Sequence, residues 1–267
     1  MKKMLLTAVA TLLAQGAFAE ALPKVLEIPV KAGLQVVNRF QAAGNLQGFI
    51  LSQAGQNSVV YTTPDGKFLL AGALIDEAGQ NLTAQYAEKY IPKPEYEKLF
   101  SKLEKSQYLV EGAKGNAAKS TVYVFIDPNC MFCHYAWKAL RPYEAAGLQV
   151  RWVPVGFLTK DSMGKAAALL EASNPEAAML KHETEFNPQA ETGGIAPINV
   201  SPAMQKKLEA NNELMRSFGM NGTPGFVFKD ASGKVLVRNG MPKLPDFAVI
   251  TGLPEQKQTD ADLQRFK

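Results

Sequence analysis

The sequence predicts two domains, a small β-rich α+β unit followed by a larger α/β domain, and three observations predict it. Val59-Val60-Tyr61-Thr62, the turn Pro64-Asp65-Gly66 and a returning strand from Phe68 to Ile75 mark an early antiparallel hairpin. An apolar run at 121–126, a helical stretch at 130–146 and a second apolar run at 148–155 read as a β-α-β unit, which demands parallel strands. Phe226-Val227-Phe228, the turn Asp230-Ala231-Ser232-Gly233 and Val235-Leu236-Val237 form a second hairpin, followed by a helical segment from Leu244 to about Ile250. At 267 residues the chain has room for both domains.

Taken in order, the chain opens with an address. Lys2 and Lys3 precede an apolar run from Met4 to Leu13, and Ala17-Phe18-Ala19 is a cleavage pattern, so residues 1–19 read as a secretory signal peptide. No later stretch is long and apolar enough to span a bilayer. The exported chain is therefore expected in the periplasm, where disulfides form and are edited. The balance of 29 basic against 25 acidic side chains falls to 27 against 25 once the leader's two lysines are removed, which is not the charge of a nucleic-acid binder.

Residues 20–81 form the β-rich unit, with short strands at Leu34 to Phe40 and Gly48 to Leu51 ahead of the hairpin. So small a sheet makes a thin core, for which oligomerisation is a common remedy. Residues 82–112 follow as a linker region, with helices from Asn81 to Ile91 and from Pro94 to Leu109 broken by Pro92 and Pro94. The second helix carries an apolar stripe of Tyr96, Leu99, Phe100 and Leu103, which suits either a packed amphipathic helix or a rigid spacer. Residues 113–267 hold the larger domain. Within it Pro142 is expected to kink or end the helix and Gly147 to close it. Residues 160–218 read as a mostly helical insertion, with Met163, Met179, Met204 and Met215 as core filling and His182 as a surface residue. The tail from Pro254 to Lys267 reads as loosely ordered.

The chemistry lies in Asp127-Pro128-Asn129-Cys130-Met131-Phe132-Cys133-His134, which carries the chain's two cysteines. With Asn129 as N-cap, Cys130 falls in the first helical turn, where free N–H groups and the dipole favour a thiolate. Its pKa is expected below the free value of about 8.5. Cys133 shares a face with Trp137 and Leu140 and is expected to be buried. One exposed acidic thiol beside one protected thiol suits thiol–disulfide exchange: the first attacks and the second resolves the mixed disulfide.

Other readings of the same residues stay open at this level. A structural bridge closing only four residues would contribute roughly 2 kcal/mol, against nearly 5 for a long loop. Cys130-Met131-Phe132-Cys133-His134 also spells the c-type haem attachment pattern, with His134 as axial ligand. Two cysteines and two histidines make a poor zinc set. No metal and no cofactor is therefore assigned.

A β-α-β half followed by a β-β-α half is the thioredoxin plan, here with a helical insertion between the halves. Four segments carry a resemblance over essentially the whole mature chain: Gly48-Phe49, Tyr61-Thr62-Thr63-Pro64-Asp65-Gly66-Lys67, the Tyr123-to-Cys130 approach, and Asn221-Gly222-Thr223-Pro224. The chain resembles the DsbG/DsbC family of periplasmic disulfide isomerases and reductases, DsbG more than DsbC. The resemblance implies an α+β N-terminal dimerisation domain plus an α/β thioredoxin-like catalytic domain with a helical insertion. It implies Cys130 as nucleophile, Cys133 as resolving thiol, and Thr223 with a cis Pro224 on the substrate side. Met131, Phe132 and His134 would tune the pair. DsbG-like proteins often carry Pro-Tyr where this chain has Met131-Phe132, which leaves the redox potential open. Implied partners are a second copy of the chain, misfolded or sulfenylated periplasmic proteins, and a membrane electron donor of the DsbD type. A net disulfide oxidase and a non-catalytic chaperone holdase are the alternatives to an isomerase or reductase.

Overall fold

The computed structural model describes residues 21–53, 56–92 and 94–267. The signal peptide predicted at 1–19 lies outside them. The chain divides into two compact units, the first of residues up to Gln53 and Asn57–Ile91, the second of Pro92–Lys267 together with Gln56.

The first unit begins with a helix absent from the sequence reading, α1 (Lys24–Lys31). Its β-branched residues and interior Pro29 disguise it, but it is amphipathic and buries Leu26 completely. Four strands pair in chain order: β1 (Gln35–Gln41), β2 (Gln47–Gln53), β3 (Gln56–Thr62) and β4 (Leu69–Ala71). β1 runs antiparallel to β2, and β3 to β4. Both faces are used, because successive strand residues point opposite ways. Phe49, Leu51 and Val60 pack on Leu26 of α1, whereas Phe40, Ile50 and Tyr61 meet Tyr86 and Tyr90 of α2 (Leu82–Tyr90). Phe40 lies across β2 at Gly48, where any Cβ would sit 2.2 Å from its ring. The predicted strand from Phe68 to Ile75 shortens to β4, whose three residues are all exposed. Gly72 turns the chain away at a φ of 147°, a value only glycine adopts freely.

The second unit begins at α3 (Tyr96–Leu103). The predicted helix to Leu109 stops early because the Ser106 hydroxyl donates to the Leu103 carbonyl and the chain turns into a strand. That strand, β5 (Leu109–Gly112), joins β6 (Ser120–Ile126), β7 (Leu148–Pro154), β8 (Gly225–Lys229) and β9 (Val235–Asn239) in one sheet of order β5-β7-β6-β8-β9. β6 and β7 are parallel, as a β-α-β unit requires, and the remaining pairs are antiparallel. Val122, Val124 and Ile126 of central β6 point to one face, under α4 (Met131–Ala145) and α8 (Asp246–Thr251). Tyr123 and Phe125 point to the other, where Phe100 and Leu103 of α3 meet Leu214, Met215 and Phe218 around α7 (Pro202–Ser217). The apolar stripe of α3 is thus core. Between β7 and β8 lie α5 (Ser162–Glu171), α6 (Pro175–Thr184) and α7. Asn174-Pro175 and Ser201-Pro202 start α6 and α7 as N-cap and first helical residue.

Two expectations are corrected, and for Pro142 one of its two alternatives is removed. Pro142 does not end α4, which runs to Ala145. One ladder bond is lost, but the Pro142 carbonyl still accepts from Ala146 N at 3.2 Å and Tyr143 is fully buried, so packing holds the last turn. His182 is not on the surface but completely buried. The tail is ordered: Leu263 is fully buried against the α4 side of the sheet, Lys138 pairs with Asp260 and Asp262, and Gln258 donates to the Ala139 carbonyl.

Candidate active site

Asp127 comes directly after the last residue of β6, and this buried carboxylate organises the turn into α4. Its Oδ1 accepts from Asn129 N at 3.0 Å and Ser162 Oγ at 2.7 Å, and its Oδ2 accepts from Phe157 N and Leu158 N at 2.9 and 3.0 Å. Four donors on one carboxylate justify its burial and tie the turn before α4 to the loop after β7.

The helix cap differs from the expected one. Cys130 itself is the N-cap, with φ −93° and ψ 112°, and its sulfur accepts from Cys133 N at 3.3 Å. Asn129 is unavailable for that role because its side chain is turned into the insertion, donating to Thr159, Asp161 and Ser162 and accepting from Lys165. The N-cap position still aims a free N–H at the sulfur, so the physical outcome is retained.

Both cysteines are free thiols, and both are buried, Cys130 at 6% exposed and Cys133 at 2%. The nucleophile candidate is therefore less open than the sequence implied, because the segment Thr223-Pro224, joined by a cis peptide bond, lies beside it. The Cys130 thiol donates to the Thr223 carbonyl at 3.4 Å. The Thr223 hydroxyl is buried with no hydrogen-bond partner.

The two thiols diverge electrostatically. A hydrogen bond from the Cys133 thiol lowers the Cys130 pKa, and the Thr223 side chain and the N–H groups of Cys133 and Phe132 add to this against the opposing effect of burial. Burial pushes the Cys133 thiol well up, and the neighbouring Cys130 sulfur pushes the same way. The geometry thus favours ionisation at the Cys130 sulfur and opposes it at the Cys133 sulfur.

Of the dipeptide, Phe132 is 46% exposed and makes edge contacts with Tyr135 and Phe266, while Met131 packs partly against the core. His134 is buried, stacked on Phe186 at 4.7 Å, with Nδ1 2.8 Å from Glu183 Oε2. Its ring also stacks with Trp137 at 6.3 Å and is buried, not at an open face where a haem iron would need it.

The remaining supports come from residues far off in sequence. His182 Nδ1 accepts from Ile195 N and its Nε2–H therefore donates to the Pro128 carbonyl at 2.8 Å. Burial lowers its pKa, so it props the turn as a neutral ring. Deeper along α4, Trp137 Nε1 and Trp152 Nε1 both donate to Glu111 Oε2, at 3.0 and 2.7 Å. Burial raises Glu111 to about 7 and the adjacent Glu144 to about 8, with Arg141 opposing both. No local spacing in the sequence signals Lys165, His182 or Glu111 as part of this assembly.

Residues 109–249 match the model of the thioredoxin-like domain, and residues 29–84 match that of the disulfide bond isomerase protein N-terminal domain. The thiol:disulfide interchange protein DsbG of Pseudomonas aeruginosa is 33% identical over 236 residues, 88% of this chain and 90% of its own. DsbG of Escherichia coli is 32% identical over 257 residues, covering 94% and 99% of the two chains. DsbC of Dickeya dadantii is 29% identical over 178 residues, 66% and 67%.

Proposed function

This chain belongs to the DsbG/DsbC family of thiol:disulfide interchange proteins, and from that premise we propose that it acts in the periplasm as a disulfide isomerase and reductase through Cys130 and Cys133. The observation that carries the reading is the asymmetry of the pair: Cys130 receives the Cys133 N–H on its sulfur while Cys133 is sealed in the core.

The Cys130 thiolate attacks one sulfur of a client disulfide. A Cys130–client bond forms, the client S–S bond breaks, and the second client sulfur leaves as a thiolate. In isomerisation that thiolate, or another in the client, attacks back and releases Cys130 with no net redox change. In reduction Cys133 loses its proton and attacks Cys130, so the client gains two electrons and the pair becomes a disulfide. A sulfenylated client follows the same path: the Cys130–client bond forms as the client S–O bond breaks, and the hydroxide released takes a proton from solvent to become water. Burial of Cys133 keeps it protonated until the mixed disulfide has formed, which gives isomerisation time to occur. Thr223 offers its backbone, and Pro224 its ring, to the client segment beside Cys130. Phe132, Phe157 and Leu158, each at least 41% exposed, supply apolar surface around that segment.

A second copy of the chain completes the assembly through the first unit. The supporting observation is the edge of its sheet, where Phe68, Leu69, Leu70 and Ile75 stand exposed on and beside the short β4. Two catalytic units per assembly favour a protein kept reduced by a membrane donor of the DsbD type over a net oxidase.

The test is trapping. Cys133→Ala protein mixed with a client bearing a non-native disulfide should accumulate a reducible covalent complex through Cys130, and Cys130→Ala should not. Acid quenching and alkylation of cells should find the pair mostly reduced. A Cys130→Ala protein that refolds scrambled clients as well as the parent would leave only the holdase reading.

A further inference from the structure

Lys165 is the least expected side chain near Cys130. It lies on α5, among Ala166, Ala167 and Ala168, and its side chain is only 5% exposed. A buried ammonium is costly unless its donors are all used. Here they are: Nζ reaches Asn129 Oδ1 at 2.7 Å, Thr192 Oγ1 at 2.5 Å and Asp161 Oδ2 at 2.9 Å. Packing of α5 does not call for a lysine, because an unbranched apolar side chain of similar length fills the same volume. What a lysine adds is a rigid hold on Asn129, the residue before the nucleophile.

Asn129 is saturated in consequence. Its Oδ1 accepts a hydrogen bond from Lys165 Nζ, its Nδ2 donates to Thr159 Oγ1 and Asp161 Oδ1, and its backbone N–H donates to Asp127. Cys130 must keep its extended backbone for its sulfur to receive the Cys133 N–H, and the preceding peptide plane sets that backbone. The titratable groups facing the ammonium are Asp161, paired with it directly, Asp127, reached through Asn129 and Ser162, and His182 of α6, which the ammonium disfavours as a cation. With a carboxylate in contact, the field of the ammonium at the sulfur is largely cancelled, and its geometric hold remains.

We propose that Lys165 acts through Asn129 as a positioning residue for the Cys130 sulfur, locking the nucleophile's turn to the helical insertion. The inference rests on the thiol-exchange reading of Cys130.

The experiment follows alkylation of Cys130 by iodoacetamide against pH, read by mass spectrometry, in the full exported chain and in Lys165→Met, Asn129→Ala and the double variant. Each single variant is expected to slow alkylation near neutral pH by about threefold or more, with the midpoint moving up by about half a pH unit. The double variant is expected to go no further than the larger single effect, since one device is being broken twice. Thr192→Ala, which loosens Lys165 without touching Asn129, should move the midpoint the same way by less, and serves if Lys165→Met does not fold. Folded variants that titrate as the parent overturn the proposal, even if they are less stable, and so do single effects that add in full. A parent Cys130 with an ordinary thiol midpoint overturns the exchange reading itself, and the proposal with it.

Discussion

The Thr223 carbonyl accepts the Cys130 thiol at 3.4 Å, while the hydroxyl of the same residue stays buried with no hydrogen-bond partner in the reduced site. An unpaired buried hydroxyl is a cost to the folded state. It is also a donor in waiting, because ionisation of Cys130 creates the acceptor it lacks. The Thr223 side chain accordingly lowers the pKa of both thiols.

Thr223→Val keeps the shape and removes that donor. The expected result is a Cys130 titration midpoint above the parent's, with slower attack on a small disulfide near neutral pH. Thermal stability should stay level or rise by up to about 1 kcal/mol, since an unsatisfied group has been removed. A variant that loses stability while Cys130 titrates as before would show that the hydroxyl is structural.

The buried acids beneath α4 make stability depend on pH. Glu111 is raised from 4.5 to about 7 and Glu144 to about 8, chiefly by burial, so the folded chain binds more protons than the unfolded chain across this range. Stability is then greatest below about pH 4.5 as far as these two groups go, falls as pH rises through about 7 to 8, and levels off above. Glu111 alone accounts for on the order of 3 kcal/mol of that fall. Urea unfolding at pH 5 and pH 8 should give the larger free energy at pH 5, and Glu111→Gln should flatten the difference.

The tail should behave as core. Leu263 is fully buried against the α4 side of the sheet, so Leu263→Ala is expected to cost about 2–4 kcal/mol in denaturant unfolding. A cost near zero would mean the tail does not dock in solution.

If the first unit pairs through its sheet edge, a charge on β4 should separate the copies. Leu70→Arg should give a monomer by light scattering while leaving Cys130 alkylation unchanged, because the thiol site lies wholly in the other unit. Isomerase activity on scrambled clients is expected to fall at least tenfold, with simple thiol reductase activity kept. A dimer that survives the charge excludes this edge as the interface.

Much of the second unit is legible from sequence because its signals are local. The short apolar runs of β6 and β8, the helical spacing of Cys133, Trp137 and Leu140, and the C-x-x-C at a strand-to-helix turn each lie within a few residues. Local sterics and hydrogen bonding decide such patterns, so the β-α-β core, the reactive pair and the second hairpin can be read from residue order alone. Other features were settled only by tertiary packing. Asn129 lost the cap to Cys130 because Lys165, 36 positions away, holds its side chain. His182 moved from surface to interior to prop Pro128 across 54 positions, and Leu263 was drawn into the core with a tail that is otherwise polar. Each of these side chains has a polar or isolated local context whose meaning depends on a partner brought close by the sheet. A buried polar group is stable only when its partners converge on it, and that convergence is a property of the fold and not of the spacing along the chain.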